Sequence, residues 1–185
     1  MKIKHIFATL LATAAFTANA GTITVAGTAT NNIDTKTATD MTLNVVTHST
    51  LTGLSVYLDV EAKYADDISF QLLHNGTMVQ LYNGHGDTSG SYFKVTFKDG
   101  GAVLPYNGSL FGIYSPVNAL SAFNGMDVFG AWTLRSYDST NYPGDGTALN
   151  GWNITATTTD VPEPASLALM GVALLGFGAA RRRKV

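Results

Sequence analysis

The sequence predicts an all-β fold, an antiparallel β-sandwich set between two end segments of different character. Three observations lead there. From about residue 41 to residue 156, apolar residues recur at every second position in short runs, the period of a strand with one wet face. The runs are separated by turn-forming pairs and triplets such as Asn75-Gly76 and Asp99-Gly100-Gly101. No stretch of the body keeps a helical period over any length, so the strands must bury their apolar faces against one another.

The chain opens with the basic Met1-Lys2-Ile3-Lys4-His5, continues apolar from Ile6 to Ala18, and reaches the small-x-small triplet Ala18-Asn19-Ala20. That order predicts a secretory signal peptide over 1–20, cut after Ala20 by signal peptidase once the secretion machinery has engaged it. Residues 21–31 read as a loose lead-in, and the body as 32–157. Ile23 and Val25, then Met41, Leu43 and Val45, alternate weakly. Leu54, Val56, Leu58 and Val60 give a clear strand, Asp66-Asp67 a turn, and Ile68, Phe70 and Leu72 the next strand. Asn75-Gly76 predicts a tight hairpin, because both positions of a type I′ turn need positive φ. Met78 to Tyr82 is the return strand, Asn83 to Gly90 a glycine-rich loop, and Phe93, Val95 and Phe97 a further strand. Val103 to Asn118, with Pro105, Gly108, Gly112 and Pro116, reads as a long surface crossing. Trp132, Leu134 and Ser136 share one face, and Leu149, Trp152, Ile154 and Ala156 close the body. Both tryptophans are expected in the core.

Charge sharpens once the ends are set aside. Six of the 11 basic residues and one of the 13 acidic ones lie outside residues 21–160, leaving 5 and 12, so that exported stretch carries about −7 while the chain carries −2. Five scattered cations on an acidic body make no footprint for nucleic acid, and that class is excluded. There is no cysteine, so an exported body of about 140 residues must hold itself together by its core alone.

Little in the body has the form of a catalytic site. Nucleophilic catalysis needs a nucleophile, a base and an orienting group, and no serine sits in a Gly-x-Ser-x-Gly elbow. Ser89, in a loop with His85, is the nearest approach. His48, His74 and His85 lack zinc spacing. Calcium suits carboxylates on exported loops better. Its candidate ligands are Asp67, Asp127, Asp138 and Asp145 near strand ends, where the plain alternative is an aspartate that caps its own turn.

The last segment has three parts. Val161-Pro162-Glu163-Pro164 is extended, since each proline restricts itself and the residue before it. Ala165 to Ala180 carries no charge, and as a helix it would span about 24 Å, a little short of the roughly 30 Å hydrocarbon core. Arg181-Arg182-Arg183-Lys184 follows and favours the cytoplasmic side. The expected division is thus a linker over 158–164, a single membrane helix over 165–180 and a basic tail over 181–185. This segment resembles the PEP-CTERM sorting signal of Gram-negative bacteria that make exopolysaccharide. The resemblance implies that an exosortase-type enzyme recognises Val161, Pro162, Glu163 and Pro164 together with Arg181, Arg182 and Arg183. It further implies an inner-membrane-anchored precursor delivered to the cell surface or extracellular matrix, where exopolysaccharide or other surface proteins are the expected neighbours.

A second resemblance covers the body. Leu120-Ser121-Ala122-Phe123-Asn124-Gly125, Gly130-Ala131-Trp132-Thr133-Leu134, Asp138, Gly144-Asp145-Gly146-Thr147 and Leu149-Asn150-Gly151-Trp152 follow one another in order. The series is similar to the closing half of the P domain (P/Homo B) of kexin- and furin-like proprotein convertases, a jelly-roll-like β-sandwich. Ala148 is an insertion against that pattern, and Ala62 stands where the family has a histidine. The resemblance implies a non-catalytic module, because in convertases the triad lies in a separate subtilisin-like domain. It also leaves calcium open, since some P domains bind it. Two alternatives stand beside it. One is a glycan-binding adhesin using loop aromatics such as Tyr82, Tyr106, Tyr114 and Tyr142. The other is an accessory domain of a separately encoded subtilisin-like protease.

Overall fold

The two-residue period of the sequence is carried out in two sheets that share one core. The computed structural model describes residues 20–29, 33, 37–64, 66–84, 89–105, 109–139 and 147–159, all within the unit Ala20–Val161. Strands β1 (Ala20–Gly27), β3 (Thr50–Tyr64), β6 (Ser89–Ala102), β7 (Leu110–Tyr114) and β9 (Ala148–Thr159) form one sheet, in the order β1-β9-β3-β6-β7. Strands β2 (Thr39–Val45), β4 (Ile68–His74), β5 (Thr77–Asn83) and β8 (Gly130–Asp138) form the other, in the order β2-β8-β4-β5. A short 3-10 helix, Leu120–Phe123, lies between β7 and β8.

Alternation decides which side chains meet. Strand β4 turns Ile68, Phe70 and Leu72 inward, and β8 turns Trp132, Leu134 and Ser136 inward while Thr133 and Arg135 face out. From the facing sheet, Val56, Leu58 and Val60 of β3 join Phe93, Val95 and Phe97 of β6 and Trp152, Ile154 and Ala156 of β9 in the same core. Both tryptophans are buried there, as the sequence predicts. The β4–β5 hairpin also forms as expected, with Asn75 at φ 46° and Gly76 at φ 79°. On the outer face of the four-stranded sheet, Asp40 and Arg135 stand opposite each other in register and share two hydrogen bonds of 2.7 Å.

Four sequence expectations are corrected. The lead-in over 21–31 contains a strand, β1, paired with β9 along its whole length from Ala20↔Thr159 to Gly27↔Trp152. As an edge strand with a half-buried inner face it needs only Ile23 and Val25 as apolar anchors, which weakens its signal. The sheets therefore reach from Ala20 to Thr159, beyond both limits of 32–157, and Thr158 is a buried strand residue rather than linker. The supposed surface crossing over Val103–Asn118 holds β7, which runs parallel to β6 with its middle three residues exposed, so it shows no alternation. Finally, Asp99-Gly100-Gly101 is a bulge inside β6: Phe97 and Ala102 both pair with Tyr114, and Asp99 accepts the Leu120 and Ser121 amides at 2.7 and 2.8 Å.

Among the described residues no helix is long and apolar enough to cross a membrane. The expected signal peptide over 1–20, apart from Ala20 at the start of β1, and the expected membrane helix over 165–180 lie outside the described residues.

Candidate functional site

The richest polar cluster forms where β2, β3, β8 and β9 begin or end. Thr50, the first residue of β3, is paired with Thr159, the last residue of β9, and bridges to Asp127 just before β8. Thr159 is also paired with Ala20 at the start of β1. The chain thus leaves its last strand at the same end as Asp127, with Thr50 paired to both.

Asp127 gathers this end. Its Oδ2 accepts from His48 Nδ1 at 2.6 Å, and its Oδ1 accepts the amides of Ser49 at 3.2 Å and Phe129 at 3.0 Å. The His48 hydrogen bond holds the Asp127 carboxyl below its ordinary value against its desolvation, and the amides of Phe129 and Ser49 add to the lowering. His48 stacks on the Phe129 ring with centroids 4.0 Å apart and an interplanar angle of 15°. The His48 side chain is 65% exposed, so this aromatic pair faces water.

Beneath it lies a second histidine with a different role. His74 is buried and stacks flat on Trp132, centroids 3.9 Å apart, with Phe123 edge-on to both rings. Its Nδ1 faces the Ala131 carbonyl at 2.9 Å and its Nε2 the Asp127 carbonyl at 2.8 Å. Trp132 donates its indole N–H to the Val128 carbonyl at 2.9 Å. His74 therefore ties the β4–β5 hairpin to the segment that positions Asp127. The arrangement is a clamp, with an apolar floor and an exposed imidazole–phenyl pair above it.

Of the four calcium candidates, the three described ones divide between the two ends of β8. Asp127 already accepts from three donors and lies at the start of β8, whereas Asp138 is the buried last residue of that strand. Eight residue steps at about 3.3 Å each separate Gly130 from Asp138, roughly 26 Å of strand. Asp67 belongs to the Asp138 end, where its carbonyl accepts the Ser139 amide at 2.8 Å, and Asp145 lies outside the described residues. Asp66 and Asp67 border a cleft of about 270 Å³ with Asn83, Tyr137 and Ser139. Among the described residues no three His, Asp or Glu side chains converge as a metal site.

The loop aromatics are also redistributed. Tyr82 is a buried residue of β5 and Tyr114 a half-buried residue of β7, while Tyr106 and Tyr142 lie outside the described residues. Of the remaining positions, Ser89 begins β6 and Ala20 begins β1. His85, Ala18, the Val161–Pro164 motif and Arg181, Arg182 and Arg183 lie outside the described residues. Sequence reasoning missed the His48–Asp127–Phe129 cluster, because its partners are 79 residues apart and no spacing rule joins them.

No curated protein matches the chain. A crystal structure of Aeromonas sobria serine protease and the chaperone complex is similar over 77% of this chain and 27% of that one, at 14% identity and a TM-score of 0.46. A second crystal structure of serine protease of Aeromonas sobria is similar over 75% and 27%, at 12% identity and a TM-score of 0.43. The chain thus spans about a quarter of the length of these proteins. Residues 160–184, which follow directly on the end of β9, match the PEP-CTERM protein-sorting motif, and that motif implies an exported protein processed at the membrane by an exosortase-type enzyme.

Proposed function

We propose that this chain is an exported, non-catalytic protein of the cell surface or extracellular matrix, built as a folded passenger on an exosortase-processed tail. The observation that carries this is the sorting motif at 160–184, starting one residue after the last strand ends at Thr159. The passenger is a β-sandwich of the P-domain type, acting as a structural or interaction module. Supporting that type, Phe123, Trp132, Leu134, Leu149 and Trp152, the apolar positions of the resemblance, are all core residues.

Sorting makes a direct prediction. Replacing Glu163-Pro164 by Ala-Ala should leave full-length protein in the membrane fraction, read by immunoblot with a body-directed antibody. Normal release of the variant would contradict the proposal.

One observation favours glycan contact as a further role for the passenger. Tyr92, Phe111 and Ile113 are exposed at one edge of the five-stranded sheet, next to the Lys94–Asp59 ion pair. Tyr92→Ala with Phe111→Ala should lower retention on the producer's own polysaccharide if this face binds it; unchanged retention would exclude the face.

A further inference from the structure

The exposed cluster Val46, His48 and Phe129 lies where the chain leaves its fold, and that coincidence points to what covers it. We propose that this end of the two-sheet body docks on the lipid surface in the membrane-held precursor; the proposal rests on the sorting function above. Thr159 closes β9 and is paired with both Ala20 and Thr50, and Thr50 bridges to Asp127. The first and last strand residues of the body therefore sit side by side at this end.

The tether is short. From Thr159 to Ala165, where the uncharged run begins, there are six residue steps, at most about 20 Å of fully extended chain. With Ala165–Ala180 in the bilayer, the tether keeps the Thr159 end within about 20 Å of the lipid surface, and docking of that end would set the opposite end of the strands about 26 Å further out.

The two ends differ in the chemistry they offer. At the tethered end, Val46 is 83% exposed and Phe129 43% exposed. They lie one step beyond the last pair of the β2–β8 ladder, Val45↔Gly130, so they are neighbours across it. Phe129 lies flat under the His48 imidazole, which makes an amphipathic ring pair of the kind that suits a headgroup region. Of the described carboxylates at this end, Asp127 is engaged by His48 and two backbone amides, and Asp99 by the Leu120 and Ser121 amides. The far end carries Asp66 and Asp67 on an open cleft, which anionic headgroups repel. Exposed apolar and aromatic groups at the tethered end, with its described carboxylates engaged by hydrogen bonds, match a lipid surface in reach.

The absence of cysteine makes the test clean. Single cysteines at Val46→Cys, Tyr137→Cys and Leu174→Cys in the full chain would carry an environment-sensitive fluorophore. The labelled proteins are reconstituted in phosphatidylethanolamine–phosphatidylglycerol vesicles containing nitroxide-labelled lipid. Docking predicts strong quenching at 174, quenching at 46 several-fold above that at 137, and a blue shift at 46 that disappears when Phe129→Asp is added. Quenching at 174 with equal, weak signals at 46 and 137 would overturn the docking and leave the membrane-held precursor standing. No quenching at 174 would overturn both. A blue shift at 46 without lipid quenching, with a doubled particle mass in detergent, would assign that end to a second copy of the chain instead.

Discussion

Trp132→Ala is the most informative single change to the body. The indole is fully buried, stacks on His74 at 3.9 Å, meets Phe123 edge-on at 5.2 Å and donates to the Val128 carbonyl. Truncating a buried tryptophan to alanine costs about 3–5 kcal/mol through lost transfer energy and the cavity left behind. Each aromatic pair contributes about 0.5–1.5 kcal/mol beyond area, and the Val128 carbonyl loses its indole partner, so the loss falls near the top of that range. A loss of about 4–5 kcal/mol is a large part of a total stability of about 5–15 kcal/mol. For a domain of this size it lowers the melting temperature by about 12–20 °C. Urea unfolding should show a much lower midpoint with an unchanged slope. Trp132→Phe, which keeps most of the bulk and loses the hydrogen bond, should cost only about 1–2 kcal/mol. A Trp132→Ala loss below about 1.5 kcal/mol would refute the reasoning, because no buried ring of this size is removed so cheaply.

Two further perturbations test the ends of the fold. Asp127 is held below its ordinary value first by His48, and Asp40 first by its hydrogen bonds from Arg135. A carboxyl depressed in the folded state contributes fully above its unfolded value, about 3.9 for aspartate, and loses that contribution as pH falls through the folded one. Stability should therefore decline on acidification through and below that value, and Asp127→Asn should flatten the decline; a parallel curve in urea titrations would contradict the clamp. Gly84→Ala tests the opposite end: Gly84 has φ 44°, and a Cβ there would overlap the Asp66 carbonyl. The left-handed conformation alone costs about 1–2 kcal/mol with a side chain, so thermal unfolding should show at least that loss, and an unchanged midpoint would mean the turn is free to rearrange.

How far the sequence carries the fold depends on how strongly each segment is buried. Central strands such as β3, β4, β8 and β9 bury one full face, so every second residue is apolar and the period is plain. The hairpin is equally plain, because Asn75-Gly76 meets a conformational demand few other pairs satisfy. Edge strands β1 and β7 bury half a face or less and hide among threonines and glycines. Tyr82 misleads for a different reason. The β4–β5 ladder shifts register between Phe70 and Gln71, so that the consecutive residues Leu81 and Tyr82 are both buried, and a bulge of this kind leaves no mark on alternation. At the candidate site, the sorting tail is readable because it is contiguous. The His48–Asp127–Phe129 cluster is not, because only the crossing of β2, β3 and β8 assembles it.

The central claim is that a folded passenger is carried on a processed address. It is tested most directly by intact-mass spectrometry of the protein recovered from producing cells and their matrix. The account predicts a species that begins at Gly21 and ends between Val161 and Pro164, with or without added mass at its C-terminus. A mature protein whose mass still includes Arg181–Val185 would contradict it, making the tail a permanent anchor rather than a processed label.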